Sequence, residues 1–211
     1  MADVFRKPIL SRYGVLIHGG NETTGFGKSM CALRIACQYA IAYNQESGAP
    51  RDEAVVVRTS TLEALKGLHM KRGWIVVLDE FHPFDREQVI HLSEHGLKVL
   101  MDRAAGGALR GRNSDIVFPP CVPLICTANV DSGEAWCGGR FLWSLPLQRK
   151  TVVFHVDRPL CVPNWASSSA DTADDMPEVF EVMAGSLPPR PAPAENLVGM
   201  LRRNVREMFG F

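Results

Sequence analysis

Gly25, Gly27, Lys28 and Ser29 close the stretch "LIHGGNETTGFGKSM" (16–30), directly after an apolar run and directly before a helical pattern. Glycines let a chain curl tightly enough to aim several backbone N–H groups at one anion. A helix that begins at that point adds the positive end of its dipole. In this setting a lysine ammonium reaches the β- and γ-phosphates of a nucleotide, and the serine hydroxyl after it ligates Mg²⁺. Thr24, Gly25, Phe26, Gly27, Lys28, Ser29 and Met30 are therefore the expected nucleotide contacts, with ATP and Mg²⁺ as the expected cofactors. Glu22 departs from such a loop, since it occupies the place of the usual first glycine and a carboxylate there repels phosphate. The two are reconciled if Gly19 and Gly20 make the turn and a slightly longer loop faces Glu22 outward. A glycine-rich turn before an ordinary helix would present the same glycines, so the loop by itself implies little beyond anion binding.

Asp79 and Glu80 end the apolar run of "WIVVLDEFHP". Open α/β sheets bind ligands at the C-terminal ends of their strands. Asp79 is expected to hold Mg²⁺ through water, and Glu80 to polarise the attacking water. An acidic pair after a strand is common by chance; it gains meaning from the Gly-Lys-Ser about fifty residues upstream. Another apolar run, "VPLICTANVD", ends in Thr127 and Asn129, and the Asn129 amide is expected to orient the lytic water or sense the γ-phosphate. Arg149, and after it Arg140, are the candidates for a guanidinium delivered in trans to the transition state, which requires an oligomer. "ALRGRNSDIVFPP" reads as a hairpin carrying Arg110 and Arg112, cations suited to a nucleic-acid phosphate backbone. An ordinary solvated hairpin accounts for those residues equally well. His91 and His95 are four apart on a helical pattern, with His82 nearby, but no third ligand accompanies the pair, so all three are taken as packing or surface residues.

Five elements must position these groups: apolar runs at 13–19, 53–59, 73–80, 121–129 and 150–157, rich in Val and Ile and suited to strands covered on both faces. Helical spacing lies between them: from Lys28 onward with Met30, Leu33, Cys37 and Ala40 on one stripe, over 60–70, and over 85–106. The alternation defines an α/β class with a parallel sheet. The expected organisation is a short lead (1–12), one ATPase-like domain (13–158), a Pro/Ser/Asp-rich linker (159–194) and an amphipathic helix (195–211), with Leu197, Met200, Leu201, Val205 and Met208 opposite Arg202, Arg203 and Arg206. At 211 residues one core is the default. Lys plus Arg balance Asp plus Glu at 23 each, which excludes a global positive field and leaves nucleic-acid binding to a local patch. The six cysteines form no CxxC pair and read as reduced thiols. No secretory signal is evident and no run approaches the roughly 18 apolar residues of a membrane span, so no membrane partner and an intracellular location, cytoplasmic or nuclear, are expected.

Taken in order, Gly25-Phe26-Gly27-Lys28-Ser29, "VVLDEF", "LRGRNSDIVFPP", "PLICTAN" and Arg149 before "TVVFHV" resemble the superfamily 3 helicase domains of small viral replication proteins, a branch of the AAA+ P-loop ATPases. The similarity is greatest to the helicase half of replication initiators of circular single-stranded DNA viruses and covers roughly residues 13–157. It implies a five-stranded parallel sheet of order 5-1-4-3-2, a homo-oligomer in the form of a hexameric ring, and ATP bound between subunits. It also implies that the 108–118 hairpin lines a pore and tracks single-stranded nucleic acid, DNA before RNA, through Arg110 or Arg112. The sequence departs from the family at Glu22 and in reading Thr-Ala-Asn where Thr-Ser-Asn is common. No nicking endonuclease precedes the ATPase-like part, which makes a separate initiator or nickase an expected partner. The expected function is Mg²⁺-dependent ATP hydrolysis driving translocation on, or unwinding of, nucleic acid. ATP-driven remodelling or loading of a protein partner is the alternative, as is a nucleotide-binding scaffold that does not hydrolyse.

Overall fold

A computed structural model describes residues 7–47, 54–84, 92–110, 115–138, 144–160 and 178–181. In chain order these form α1 (Lys7–Leu10), β1 (Gly14–Gly19), α2 (Lys28–Ser47), β2 (Val55–Thr59), β3 (Ile75–Leu78), α3 (Glu94–Met101), β4 (Gly107–Leu109), β5 (Ile116–Phe118), β6 (Leu124–Asn129), α4 (Gly133–Trp136), α5 (Leu145–Gln148), β7 (Thr151–His155) and β8 (Glu178–Glu181). Six of the strands make one sheet in the order β7-β1-β6-β3-β2-β8, and every neighbouring pair is parallel. The class is mixed α/β with a parallel sheet.

Burial explains why the central strands are unbroken apolar runs: every residue of β1 and of β3 is buried. Successive side chains point to opposite faces. Val15, Ile17, Val56, Val77 and Ile125 pack on one face with Leu33, Ala36, Cys37 and Ala40 of α2. Leu16, Val57, Val76, Leu78 and Cys126 pack on the other with Leu97, Leu100 and Met101 of α3, Phe118 of β5 and Trp136 of α4. The sheet is thus the middle of three layers.

The structure corrects four expectations. The sheet has six strands rather than five, and the order 5-1-4-3-2 is not its full order, because β8 pairs with β2 in register Val55↔Glu178 to Arg58↔Glu181. That strand comes from the segment expected to be linker throughout; four residues with only Val179 and Phe180 apolar do not stand out from polar, Pro-rich surroundings. The helix expected over 60–70 is one 3₁₀ turn, Glu63–Leu65. Lys66 is extended (ψ 135°) and Gly67 has φ 73°, which ends the turn; buried Leu62, Leu65 and Met70 mimic helical spacing by packing inward from a loop. Within 85–106 the described helix is Glu94–Met101, capped by the Ser93 hydroxyl, which accepts the Gly96 N–H at 3.0 Å. Finally, Met30 leaves the apolar stripe of α2 and is 37% exposed.

β4 and β5 form the antiparallel pair expected of a hairpin, in register Gly107↔Phe118 to Leu109↔Ile116. The helix expected over 195–211 lies outside the described residues. Among the described residues no helix is long and apolar enough to cross a membrane. Cys31, Cys37, Cys121, Cys126 and Cys137 are free thiols; Cys161 lies outside the described residues.

Candidate functional site

The loop from Gly20 to Gly27 joins the end of β1 to the start of α2 and contains a 3₁₀ turn, Asn21–Thr23. The turn is closed by the Thr23 N–H (2.9 Å) and hydroxyl (2.7 Å), both donating to the Gly20 carbonyl. Gly25 and Gly27 have φ of 83° and 87°, a region that favours glycine, and so wrap the backbone into the helix start. A Cβ on Gly19 would collide with the Thr23 hydroxyl, and one on Gly20 with the Glu22 carboxylate and with Asp131 Oδ1. Gly19 ends β1, Gly20 precedes the turn and supplies the carbonyl that closes it, and Glu22 within the turn is exposed with its carboxylate beside Gly20. Lys28 is only 7% exposed; its ammonium folds back across the loop and donates to the Thr23 carbonyl (2.9 Å) and hydroxyl (2.8 Å). Burial pushes its pKa down, while the carboxylates of Glu80 and Glu22 oppose that shift.

Asp79 and Glu80 follow β3 and diverge. The Asp79 N–H continues the sheet by donating to the Thr59 carbonyl at 2.8 Å, and its carboxylate is buried. Oδ1 accepts the Thr127 hydroxyl at 2.6 Å, and Oδ2 accepts Arg58 Nη2 at 2.5 Å and Nε at 3.1 Å. Burial raises the Asp79 pKa, but hydrogen bonds from Thr127, Ser29 and Arg58, together with the Arg58 charge, outweigh it and hold the group below its ordinary value. Glu80 turns the other way: its φ is 51°, its side chain is exposed, and its N–H donates to the same Thr127 hydroxyl at 2.9 Å. The next N–H, of Phe81, donates to the Thr127 carbonyl at 2.9 Å, and the Trp136 indole donates to the Phe81 carbonyl at 2.7 Å. One hydroxyl on β6 thus fixes both the carboxylate facing inward and the backbone of the carboxylate facing out.

A cavity of about 290 Å³ lies where these elements meet, lined by Thr24, Gly25, Gly27, Lys28, Ser29 and Met30 of the loop and helix, Glu80 after β3, and Thr127, Ala128 and Asn129 of β6. Met30, read from sequence both as a nucleotide contact and as part of the apolar stripe, belongs to this lining. Phe26 does not line it: its carbonyl accepts the Leu160 N–H at 2.9 Å and its side chain packs against the core under α2. Arg149 caps the end of α5, is exposed, and is not among the lining residues. Arg110 is exposed at the end of β4, while Arg112, Arg140 and His91 lie outside the described residues. His82 is half-buried and His95 exposed, and among the described residues no cluster of three or more His, Cys, Asp and Glu could hold a metal. A Mg²⁺ ion does not need such a cluster, because it keeps several waters and takes one or two protein oxygens beside substrate phosphates. Ser29, which lines the cavity, and Asp79, which is not a lining residue but is buried and hydrogen-bonded to the lining residue Thr127, offer oxygen donors of the kind it takes.

Several residues of the site were not singled out from sequence. Thr23 receives the Lys28 ammonium. Arg58 pairs with Asp79, and its signal is visible: it is the one charge inside a strand of buried residues, "VVVRT". His18, 4% exposed at the end of β1, has Nδ1 2.9 Å from the Val130 carbonyl, and its ring centroid lies 5.0 Å from that of His155. A carbonyl only accepts, so Nδ1 carries the proton. Burial lowers the His18 pKa, the nearby His155 and Lys28 add to that, and the Val130 bond and Asp131 oppose it.

Compared with models of known protein families and with curated proteins, the chain matches none.

Proposed function

We propose that the chain is a Mg²⁺-dependent ATPase of the P-loop class, AAA+ branch, that uses hydrolysis to move along or unwind single-stranded nucleic acid. One observation carries this: Lys28 and Ser29 after β1, Glu80 after β3 and Asn129 of β6 line a single cavity at the C-terminal ends of adjacent parallel strands. A sheet in which β1 lies between β6 and β7 is compatible with a P-loop arrangement. The loop N–H groups and the start of α2 receive the phosphates. Lys28 leaves Thr23 to meet the β- and γ-phosphates. Ser29 and Asp79 hold Mg²⁺, which when bound offsets charge on the phosphate oxygens. Glu80, exposed and aimed into the cavity, polarises the attacking water, and Asn129 orients it. Arg149, outside its own cavity, is suited to serve the site of a neighbouring copy in a ring, and Arg110 at the hairpin to contact the nucleic-acid backbone.

The test is ATPase rate and oligomer mass, each measured with and without single-stranded DNA. Stimulated turnover is expected; unchanged turnover over a range of salt would count against the motor. Lys28→Ala abolishes nucleotide binding, whereas Glu80→Gln retains binding and lowers hydrolysis by roughly 10²–10⁴-fold.

A further inference from the structure

Glu80 lines the cavity from a left-handed backbone, φ 51°. Such a conformation is unfavourable for a residue with a side chain and persists only where its surroundings impose it. Three bonds tie the start of this turn to neighbouring strands: the Asp79 N–H to the Thr59 carbonyl (2.8 Å), the Glu80 N–H to the Thr127 hydroxyl (2.9 Å) and the Phe81 N–H to the Thr127 carbonyl (2.9 Å). The chain leaving the turn is held from a different element. The Trp136 indole, 1% exposed at the end of α4, donates to the Phe81 carbonyl at 2.7 Å, and its ring meets the Phe81 ring edge-on with centroids 6.3 Å apart. The segment that carries Trp136 leaves β6 directly after Asn129 and is itself anchored. The Val130 carbonyl accepts His18 Nδ1–H at 2.9 Å, the Ser132 hydroxyl accepts the Ala135 N–H at 3.1 Å, and the Ser132 carbonyl accepts the Trp136 N–H at 2.9 Å. It is a short strut, tied to β1 at one end and to the Glu80 turn at the other.

We infer that Trp136 is a positioning residue for Glu80: through the Phe81 carbonyl it holds the left-handed turn that presents the Glu80 carboxylate to the cavity. The inference rests on Glu80 being the residue that polarises the attacking water. Packing alone asks only for an aromatic ring at this place in the core. The indole N–H, aimed at the carbonyl one residue beyond Glu80, is the part that packing does not require. A reacting group displaced by about 1 Å loses on the order of 10²-fold in rate. Lys28 and Ser29 stand on another element, so substrate binding there does not depend on this bond.

Trp136→Phe in the full-length chain keeps an aromatic ring and removes the donor. Two measurements test it: steady-state ATPase kinetics well below the melting temperature, and amide hydrogen exchange at Glu80 and Phe81 without nucleotide. The kcat is expected to fall about ten- to a hundred-fold while KM for ATP stays within about two-fold. Exchange at the two amides is expected to speed up at least about ten-fold, with the amides of β1 unchanged. Unchanged kcat overturns the inference, as does exchange that stays the same at Glu80 and Phe81 or rises evenly across the sheet. If Trp136→Phe does not fold, Ser132→Ala, which loosens the start of α4, decides: faster exchange confined to Glu80 and Phe81 supports the inference, and unchanged exchange there overturns it. A wild type that never hydrolyses ATP would sink the ATPase reading, and the exchange arm, which uses no nucleotide, would still decide whether Trp136 holds the turn.

Discussion

His18 shows how a single buried side chain under the loop couples folding to acidity. Its pKa in the folded chain lies below the ordinary 6.5, chiefly through burial. The unfolded chain therefore takes up the proton first, and stability is complete above pH 6.5 and declines as the pH falls through 6.5 toward the folded value. Asp79 has the same sign in a lower window: its pKa is held below 3.8, so its contribution is present above that value and lost as the pH falls further. Denaturant unfolding across pH should show two declines in the wild type, and His18→Asn should lack the upper one; an unchanged profile would remove His18 from this role. The residues that line the cavity are legible in sequence, since Glu80 and Asn129 stand at the ends of apolar runs and Lys28 and Ser29 follow a glycine-rich loop where a helical pattern begins. Their partners are not. That Lys28 rests on Thr23, or Asp79 on Arg58 and Thr127, depends on which strands become neighbours, and strand order is not written into any one strand.

At the scale of elements, the Thr127 hydroxyl is a clamp between β3 and β6, donating to Asp79 and accepting from the Glu80 N–H. Thr127→Val keeps the shape and removes both bonds in a buried setting, which should lower unfolding free energy by about 1–3 kcal/mol and reduce turnover by freeing the Glu80 backbone. Equal stability of the two proteins in denaturant would show the clamp to be dispensable. The same scale shows where pattern and structure part. β1, β3 and β6 read clearly because both of their faces are covered and each carries an unbroken run of three or four apolar residues. The segment at 60–70 misleads because inward-facing leucines in a loop reproduce the spacing of a helix. β8 escapes notice because an edge strand needs only backbone pairing with β2, and its four residues carry too little apolar signal to mark it.

For the molecule as a whole, no arginine among the described residues lines the cavity, and Arg149 stands exposed outside it. If sites form between copies, two inactive variants should rescue each other. A mixture of Lys28→Ala and Arg149→Ala chains contains interfaces with an intact loop on one side and an intact arginine on the other, and should recover part of the hydrolysis that neither shows alone. No recovery, with mixed oligomers demonstrated by mass, would exclude Arg149 from trans action. Glu80 holds a backbone φ of 51°. A left-handed φ costs a non-glycine residue about 1 kcal/mol or more, so the substitution that relaxes this turn most easily, Glu80→Gly, is also the one that deletes the proposed base.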